Sequence, residues 1–376
     1  MYMRENPLRT LHRFGQSIWI DSISRGMITS GDLGRFIQED GVLGVTSNPA
    51  IFEKAIAGSS DYDKAISSLA LQGKALQEVY EELVVSDIRA AADLFLPVYE
   101  RTGGGDGFVS LEVSPHLAHD TIATIDEARR LWRSVDRPNV MIKVPGTWAG
   151  IAALRRLIAE GININVTLLF CLKRYRAVAW AYVDALEERA GQGLSLTHVR
   201  SVASFFLSRI DVLIDSLLEK KRAEIAPDLF ASLYGEVALA SAKSAYCMFQ
   251  EIFSSKQFKR LAGQGACPQR LLWASTGTKN PAFSDVKYIE PLIGPDTVNT
   301  VPLETLIAYR EHGNPLPRLE SGGKESQRIL DLLGEVGINL DAVTERLEEE
   351  GLIKFVEPFD RLLENIETKR IATLRK

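Results

Sequence analysis

The chain of 376 residues is 45% hydrophobic and 25% charged, enough to bury a large core as one big α/β domain or two ordinary ones. Its formal net charge of -5, with both signs interspersed, provides no basic stripe for a nucleic acid and no polybasic patch for a membrane. No apolar run is long enough to span a bilayer, and the start of the chain is charged where a signal peptide is apolar. We therefore expect a cytoplasmic protein without nucleic-acid or membrane partners.

Segments rich in β-branched residues alternate with longer stretches of helical period, which is the pattern of βα units around a parallel sheet. We predict eight strands, near 17–22, 41–48, 107–114, 140–145, 162–169, 202–208, 271–276 and 297–302. Eight strands with helical crossovers predict a (β/α)8 TIM barrel, formed by residues 1–376 as a single domain. The stretches 49–106, 209–270 and 303–376 are too long for one helix each and predict extra covering helices.

Polar residues end nearly every predicted strand. In a barrel of this kind all eight strands direct their carboxyl ends to one rim, where catalytic residues lie. Each such residue alone has a simpler explanation; Asn48 before Pro49, for example, fits a helix N-cap. Their convergence on one rim favours a site instead. The residues are Asp21, Asn48, Glu112, Lys143, Asn165, Thr167, Ser204 and Ser275.

Lys143 is the most informative of them, because it interrupts the apolar run "VMIKVP". A buried ammonium must reach water or be paired, and either structural outcome is an alternative to catalysis. The functional interpretation is a nucleophile, since apolar surroundings favour the neutral amine that attacks a carbonyl. Alternation along the strand aims Lys143 and Met141 to one side and Ile142 and Val144 to the other. Asn165 and Thr167, two residues apart, form a similar inward pair that can hold a hydroxylated substrate or bond to the backbone.

Two segments resemble the transaldolase family. They are "GVTSNPAIFEKAI" at 44–56 and "MIKVPGTWAGIAALRRLIAEGININVTLLF" at 141–170, and the resemblance extends from Asp21 to the strand near 297–302. The resemblance implies a barrel of the class I aldolase type. It also implies transfer of a dihydroxyacetone unit from sedoheptulose 7-phosphate or fructose 6-phosphate to an aldose phosphate, in the non-oxidative pentose phosphate pathway. The implied chemistry uses a Schiff base and needs no metal or other cofactor, and the partners are small sugar phosphates.

The family match also implies a role for each residue. Lys143 would form the imine, Asp21 would move the proton during carbon–carbon cleavage, and Glu112 and Thr167 would handle the water lost and regained. Asn48 and Asn165 would hold the hydroxyls of the three-carbon fragment, and Ser204 and Arg209 the phosphate. The seventh strand departs from the shorter members of the family, which carry a phosphate-binding Arg where this chain has Gly277. We expect Lys279, beyond Ser275, to replace it as a point charge.

Three alternatives remain at this point. A Schiff-base fructose 6-phosphate aldolase would release the fragment to water, but its relatives carry Tyr where this chain has Phe206. A decayed barrel would bind phosphosugars without forming an imine. A metal-dependent aldolase would need His116 and His119, which follow Pro115 and lack a third ligand. The sequence leaves the oligomeric state, monomer or homodimer, open.

Overall fold

A computed structural model describes residues 6–375, so the first five residues of the charged amino-terminal stretch lie outside the described part. Eight parallel strands close into a barrel in which each strand pairs with its neighbours in chain order and β8 pairs with β1. The (β/α)8 prediction is thereby confirmed. The strands are β1 Gln16–Ile20, β2 Gly44–Val45, β3 Phe108–Glu112, β4 Val140–Pro145, β5 Ile164–Leu169, β6 Ser201–Phe206, β7 Arg270–Ala274 and β8 Thr297–Val301.

Helices surround the barrel, and the three long stretches between or after strands hold several each. The α-helices are α1 Pro7–Thr10, α2 Arg25–Thr29, α3 Asp32–Arg35, α4 Pro49–Ala57, α5 Asp63–Leu71, α6 Leu76–Arg101, α7 Thr121–Val135, α8 Trp148–Glu160, α9 Leu172–Gly191, α10 Ser208–Lys220, α11 Pro227–Leu233, α12 Val237–Phe253, α13 Lys256–Ala262, α14 Leu303–His312, α15 Gly323–Glu335 and α16 Leu340–Leu374. The regularly alternating helices expected from the sequence are absent at one place. Between β7 and β8 the chain makes only a short 3-10 turn, Glu290–Leu292, because prolines and glycines interrupt this connection.

The second strand is much shorter than the predicted 41–48 and contains two residues. Gly44 explains the local geometry, since a Cβ placed there would lie 2.6 Å from the ring of Trp19 and 2.8 Å from the carbonyl oxygen of Phe108. Only glycine permits so close an approach of β2 to the fully buried indole on β1. The strand then leaves the sheet at Thr46, which begins the polar segment leading into α4.

The carboxyl-terminal helix α16 is 35 residues long and crosses the carboxyl-end rim of the barrel. Asn339 caps its start by accepting a hydrogen bond from the amide of Ala342. It packs against α4, α5, α6 and α10, and it also contacts β5. Within residues 6–375, no helix is both long and apolar enough to cross a membrane.

Candidate active site

Parallel pairing brings three of the expected residues to one level of the barrel. The Cα of Glu112 on β3 is opposite that of Lys143 on β4, and Lys143 is in turn opposite Asn165 on β5. Side chains on neighbouring parallel strands at the same level point to the same face. The predicted inward direction of Lys143 follows from this register.

The Lys143 ammonium lies in an almost closed environment, with the residue 4% exposed. Its Nζ donates a hydrogen bond of 2.8 Å to the carbonyl oxygen of Ser47 and lies 3.3 Å from Oε2 of Glu112. The contact with Glu112 is an ion pair by distance but lacks hydrogen-bond geometry, since Oε2 has no hydrogen-bond partner. The ring of Phe355 lies over the amine at 5.8 Å from its centroid. The Ser47 carbonyl oxygen therefore holds the amine by a hydrogen bond, whereas Oε2 of Glu112 is close to the amine without such a bond.

Burial raises the pKa of Glu112 to about 7, and the nearby Lys143 opposes this shift. Burial also raises the pKa of Asp21, although this residue is partly exposed to the cavity that it lines. The attraction of Lys143 and a 2.7 Å hydrogen bond donated by Thr46 Oγ1 to Oδ1 of Asp21 act in the opposite direction. Thr46 Oγ1 also lies 2.7 Å from Thr300 Oγ1. The site thus holds one amine between two carboxyl groups in different surroundings.

Asn165 lies at the bottom of this arrangement, fully buried and bonded on both sides of its amide. Its Nδ2 donates to Ser110 Oγ at 3.1 Å, and its Oδ1 accepts from Ser204 Oγ at 2.7 Å. Thr167, two residues further along β5, is also fully buried, and its hydroxyl has no hydrogen-bond partner within residues 6–375. A buried hydroxyl without a partner is rare, and here it faces a cavity.

One cavity of about 150 Å³ joins most of the predicted residues at the carboxyl ends of the strands. The predicted residues that line it are Asp21, Asn48, Lys143, Thr167, Ser204, Phe206, Arg209 and Ser275. Asn48 lines the cavity and also caps α4, because its side-chain oxygen accepts a hydrogen bond from the amide of Ile51 at 3.0 Å. Glu112 and Asn165 do not line the cavity themselves. Glu112 lies beside Lys143, and Asn165 accepts a hydrogen bond from Ser204.

Arg209 is the cation that fits an anionic substrate group. Its guanidinium lies 5.6 Å from the ring centroid of Phe206, and its Nη1 is buried without a hydrogen-bond partner. Burial lowers the pKa of Arg209. A half-buried guanidinium whose Nη1 has no partner among the described residues can bind a phosphate or a carboxylate.

Two residues at the rim have an unusual backbone conformation. Ser275 has a φ of 54°, in the left-handed region that side chains rarely adopt, and its hydroxyl lies 2.9 Å from that of Ser208. Leu168, after Thr167, has a φ of 60° where the β5–β6 register shifts. Such strain is concentrated at functional sites in proteins. Lys279 is exposed and lines a separate surface cleft with Asp211 and Asp215.

The sequence interpretation missed four polar or aromatic lining residues. Thr46 and Thr300 are strand-end threonines, and the rim argument that selected Ser204 applies to them as well. Lys354 and Phe355 lie on α16, more than 200 positions from Lys143 along the chain, in a segment whose charges resemble an ordinary solvated helix. No local pattern indicates that this helix returns to the barrel.

A larger cavity of about 830 Å³ lies at the opposite, amino-terminal end of the barrel, where Ser17, Met141 and Arg270 line it. Its size does not make it the reaction site. Among the described residues that line it there is no lysine, and two of its charged side chains pair with each other, Arg270 lying 3.2 Å from Asp106. The chemically equipped cavity is the smaller one around Lys143.

Comparison with known proteins identifies the family of the chain. The family model described as transaldolase/fructose-6-phosphate aldolase matches residues 18–366. The chain belongs to this family. A transaldolase of Trichodesmium erythraeum is 47% identical over 98% of both chains. A transaldolase of Thiobacillus denitrificans is 47% identical over 96% of this chain and 99% of its own, and one of Saccharopolyspora erythraea is 46% identical over 96% of each.

These full-length relatives are all transaldolases, so the protein is an enzyme of the transaldolase type, a transferase. The aldolase alternative is not favoured. Within the described residues, no group of three or more histidine, cysteine or acidic side chains is arranged to hold a metal ion. His116 instead lies 2.7 Å from a carboxylate oxygen of Asp360 on α16.

Proposed function

We propose that the protein transfers a dihydroxyacetone unit from sedoheptulose 7-phosphate or fructose 6-phosphate to an aldose phosphate through a Schiff base on Lys143. The observation that carries this proposal is the buried amine at the carboxyl end of β4, with the free oxygen of Glu112 at 3.3 Å. The arrangement supplies a nucleophile and an adjacent proton carrier in a water-poor cavity. The substrates and the pentose phosphate pathway follow from the family.

The first half of the reaction forms the imine. The neutral amine of Lys143 attacks the ketose carbonyl, and the resulting carbinolamine loses its hydroxyl group as water. Glu112 is suited to this step, since a carboxyl group with a pKa of about 7 can both donate and accept a proton near neutrality. We assign Thr167, whose buried hydroxyl has no protein partner, to holding this water.

The second half breaks and remakes a carbon–carbon bond. The iminium accepts the electron pair of the bond between the third and fourth carbons, while the proton of the hydroxyl on the fourth carbon passes to Asp21. An aldose phosphate leaves, and the enamine stays on Lys143 until another aldose phosphate arrives and reverses these steps. Asn48 and Asn165 would hold the hydroxyls of the bound fragment, and Ser204, Ser275 and Arg209 would act on the phosphate side.

Phe206 belongs to the same proposal. Its ring, 5.2 Å from that of Phe170, lines the cavity with carbon atoms and offers no hydroxyl to position a water. An enamine in such surroundings is poorly protonated and waits for an aldehyde, which favours transfer over release. We also propose a single domain and a cytoplasmic location, where phosphorylated sugars are retained.

Borohydride trapping tests the proposal. The protein is incubated with fructose 6-phosphate and sodium borohydride, with and without an aldose phosphate, and analysed by intact mass and peptide mapping. We expect an adduct with the mass of a reduced three-carbon unit on Lys143, discharged by the acceptor and absent in Lys143→Ala. A folded protein without any adduct would contradict transfer and favour a sugar-phosphate binding protein.

A further inference from the structure

The cavity offers an anionic group more than one positive charge. Apart from Lys143, two of the described residues that line it are cationic, Arg209 and Lys354. Arg209 has a buried Nη1 without a protein partner, whereas a sugar phosphate near neutral pH carries up to two negative charges. One guanidinium leaves part of this charge uncompensated, so a second cation within reach would contribute to binding.

Helix α16 places Lys354 beside Arg209. Gly351 approaches the guanidinium so closely that a Cβ built there would lie 3.7 Å from Nη1 of Arg209. Residues three and four positions apart share one face of a helix, so Lys354 and Phe355 follow Gly351 on the face that meets the barrel. Phe355 confirms this orientation, since it is 5% exposed and its ring lies 5.8 Å from the Lys143 amine.

The ammonium of Lys354 is free to move toward a ligand. Its side chain is 55% exposed, and its only ion pair among the described residues is a loose 3.8 Å contact with Glu350. Glu350 bonds more closely to Arg346, at 2.7 Å. A surface pair of this kind contributes little and is readily exchanged for a phosphate.

Lys279 is the competing cation. Its Nζ lies 3.7 Å from the position that a Gly277 Cβ would occupy, but the side chain is exposed and lines the cleft of Asp211 and Asp215 rather than the cavity. Three carboxylates line this cleft, the third being that of Glu219, and they weaken the attraction of Lys279 for a phosphate elsewhere. Lys354 lines the same cavity as Arg209, and Glu350 is the one described carboxylate that pairs with its ammonium.

We propose that Lys354 of α16 is a second cationic ligand for the substrate phosphate, acting with Arg209. This inference rests on the proposed transfer of phosphorylated sugars and adds to it a residue from the carboxyl-terminal helix. Closure of the site by α16 would then be linked to the phosphate, because the same helix carries Phe355 over Lys143.

The test compares Lys354→Gln and Lys354→Arg with the unchanged protein. The readouts are the KM for fructose 6-phosphate and the inhibition constant of inorganic phosphate. We expect both constants to rise about tenfold in Lys354→Gln, the effect of one lost charge-assisted hydrogen bond, and to be largely restored in Lys354→Arg. Lys64→Gln, which removes the same charge from exposed α5, is the control and leaves both constants unchanged.

An unchanged inhibition constant of phosphate in folded Lys354→Gln would overturn the inference, and a rise in Lys279→Gln instead would assign the second charge to Lys279. Thermal unfolding of each variant verifies the fold. Failure of the proposed function is distinguishable, because it would appear as the absence of a Lys143 adduct in the unchanged protein. Persistence of the adduct with no effect of Lys354→Gln would reject only the role of Lys354.

Discussion

The buried environment that Glu112 shares with Lys143 changes the pH range over which this carboxyl group exchanges its proton. Burial disfavours the ionised form and raises the pKa of Glu112 to about 7, and the ammonium at 3.3 Å opposes but does not cancel this effect. The carboxyl group is therefore divided between both protonation states near neutrality. An ordinary glutamate, ionised almost completely above pH 6, would lack the acid form.

The pKa of Glu112 predicts a pH effect on both activity and stability. The rate of Lys143 adduct formation should change with pH around pH 7, and this change should be absent in Glu112→Gln. Because the folded pKa lies above the unfolded value, the contribution of Glu112 to the free energy of unfolding is full below about pH 4 and is lost as pH rises through about 7. Urea unfolding of Glu112→Gln should lack this decline. Glu345→Gln, at an exposed site, is the control, and equal pH profiles for Glu112→Gln and the unchanged protein would contradict the assignment.

At the scale of elements, α16 is the feature that distinguishes this barrel. Its contact with the strand ends depends on Gly351, since a Cβ there would lie 3.2 Å from Cδ2 of Leu168. Pro358 interrupts the helix shortly after the cavity residues and leaves the carbonyl group of Lys354 without its helical donor. The helix thus combines close packing with a local break in its hydrogen bonding at the rim.

Two glycine-to-alanine substitutions separate packing from helix propensity. Gly334 on α15 has nothing within 4 Å of a Cβ, so Gly334→Ala should stabilise the protein by about 0.5–1 kcal/mol. Gly351→Ala gains the same propensity but brings a Cβ within 3.2 Å of Leu168 and into contact with Arg209 at 3.7 Å, so we expect no gain in stability and a higher KM for fructose 6-phosphate. Thermal unfolding and steady-state kinetics measure both effects, and an equal gain in stability at the two sites would contradict the close contact.

At the scale of the whole molecule, hydrogen bonds of one buried carboxylate connect strands at the amino-terminal end of the barrel. Asp106, just before β3, accepts hydrogen bonds from Ser17 at 2.6 Å, from Trp19 at 3.1 Å and from Arg270 at 3.2 Å. These partners lie on β1 and β7, so one carboxylate joins three sides of the barrel. The charge is 9% exposed, and its compensation depends on Arg270.

Asp106→Asn should therefore destabilise the protein without acting on the distant site. Removal of one partner leaves the Arg270 charge uncompensated in a largely buried position, and we expect a loss of about 2–4 kcal/mol. Asp126→Asn breaks an exposed pair with Arg129 and should cost less than about 1 kcal/mol. Denaturant unfolding measures both losses, and comparable losses would show that the buried network contributes no more than a surface pair.

The barrel and most of its rim could be predicted because their signals are local. Segments rich in β-branched residues and their spacing located all eight strands, and strand-end position selected Lys143, Asp21 and Thr167. The connection between β7 and β8 holds only a 3-10 turn, because its prolines and glycines prevail there over the general crossover pattern.

The sequence by itself determined the fold class and the amine at the end of β4, because hydrophobic period and one misplaced charge are properties of short segments. Only the tertiary structure decided what surrounds that amine. The 3.3 Å approach of Glu112, the link from Asp21 through Thr46 to Thr300, and the position of Lys354 and Phe355 over the rim depend on strand register and on the path of α16. These are long-range contacts, set by how the whole core packs rather than by any neighbouring residues.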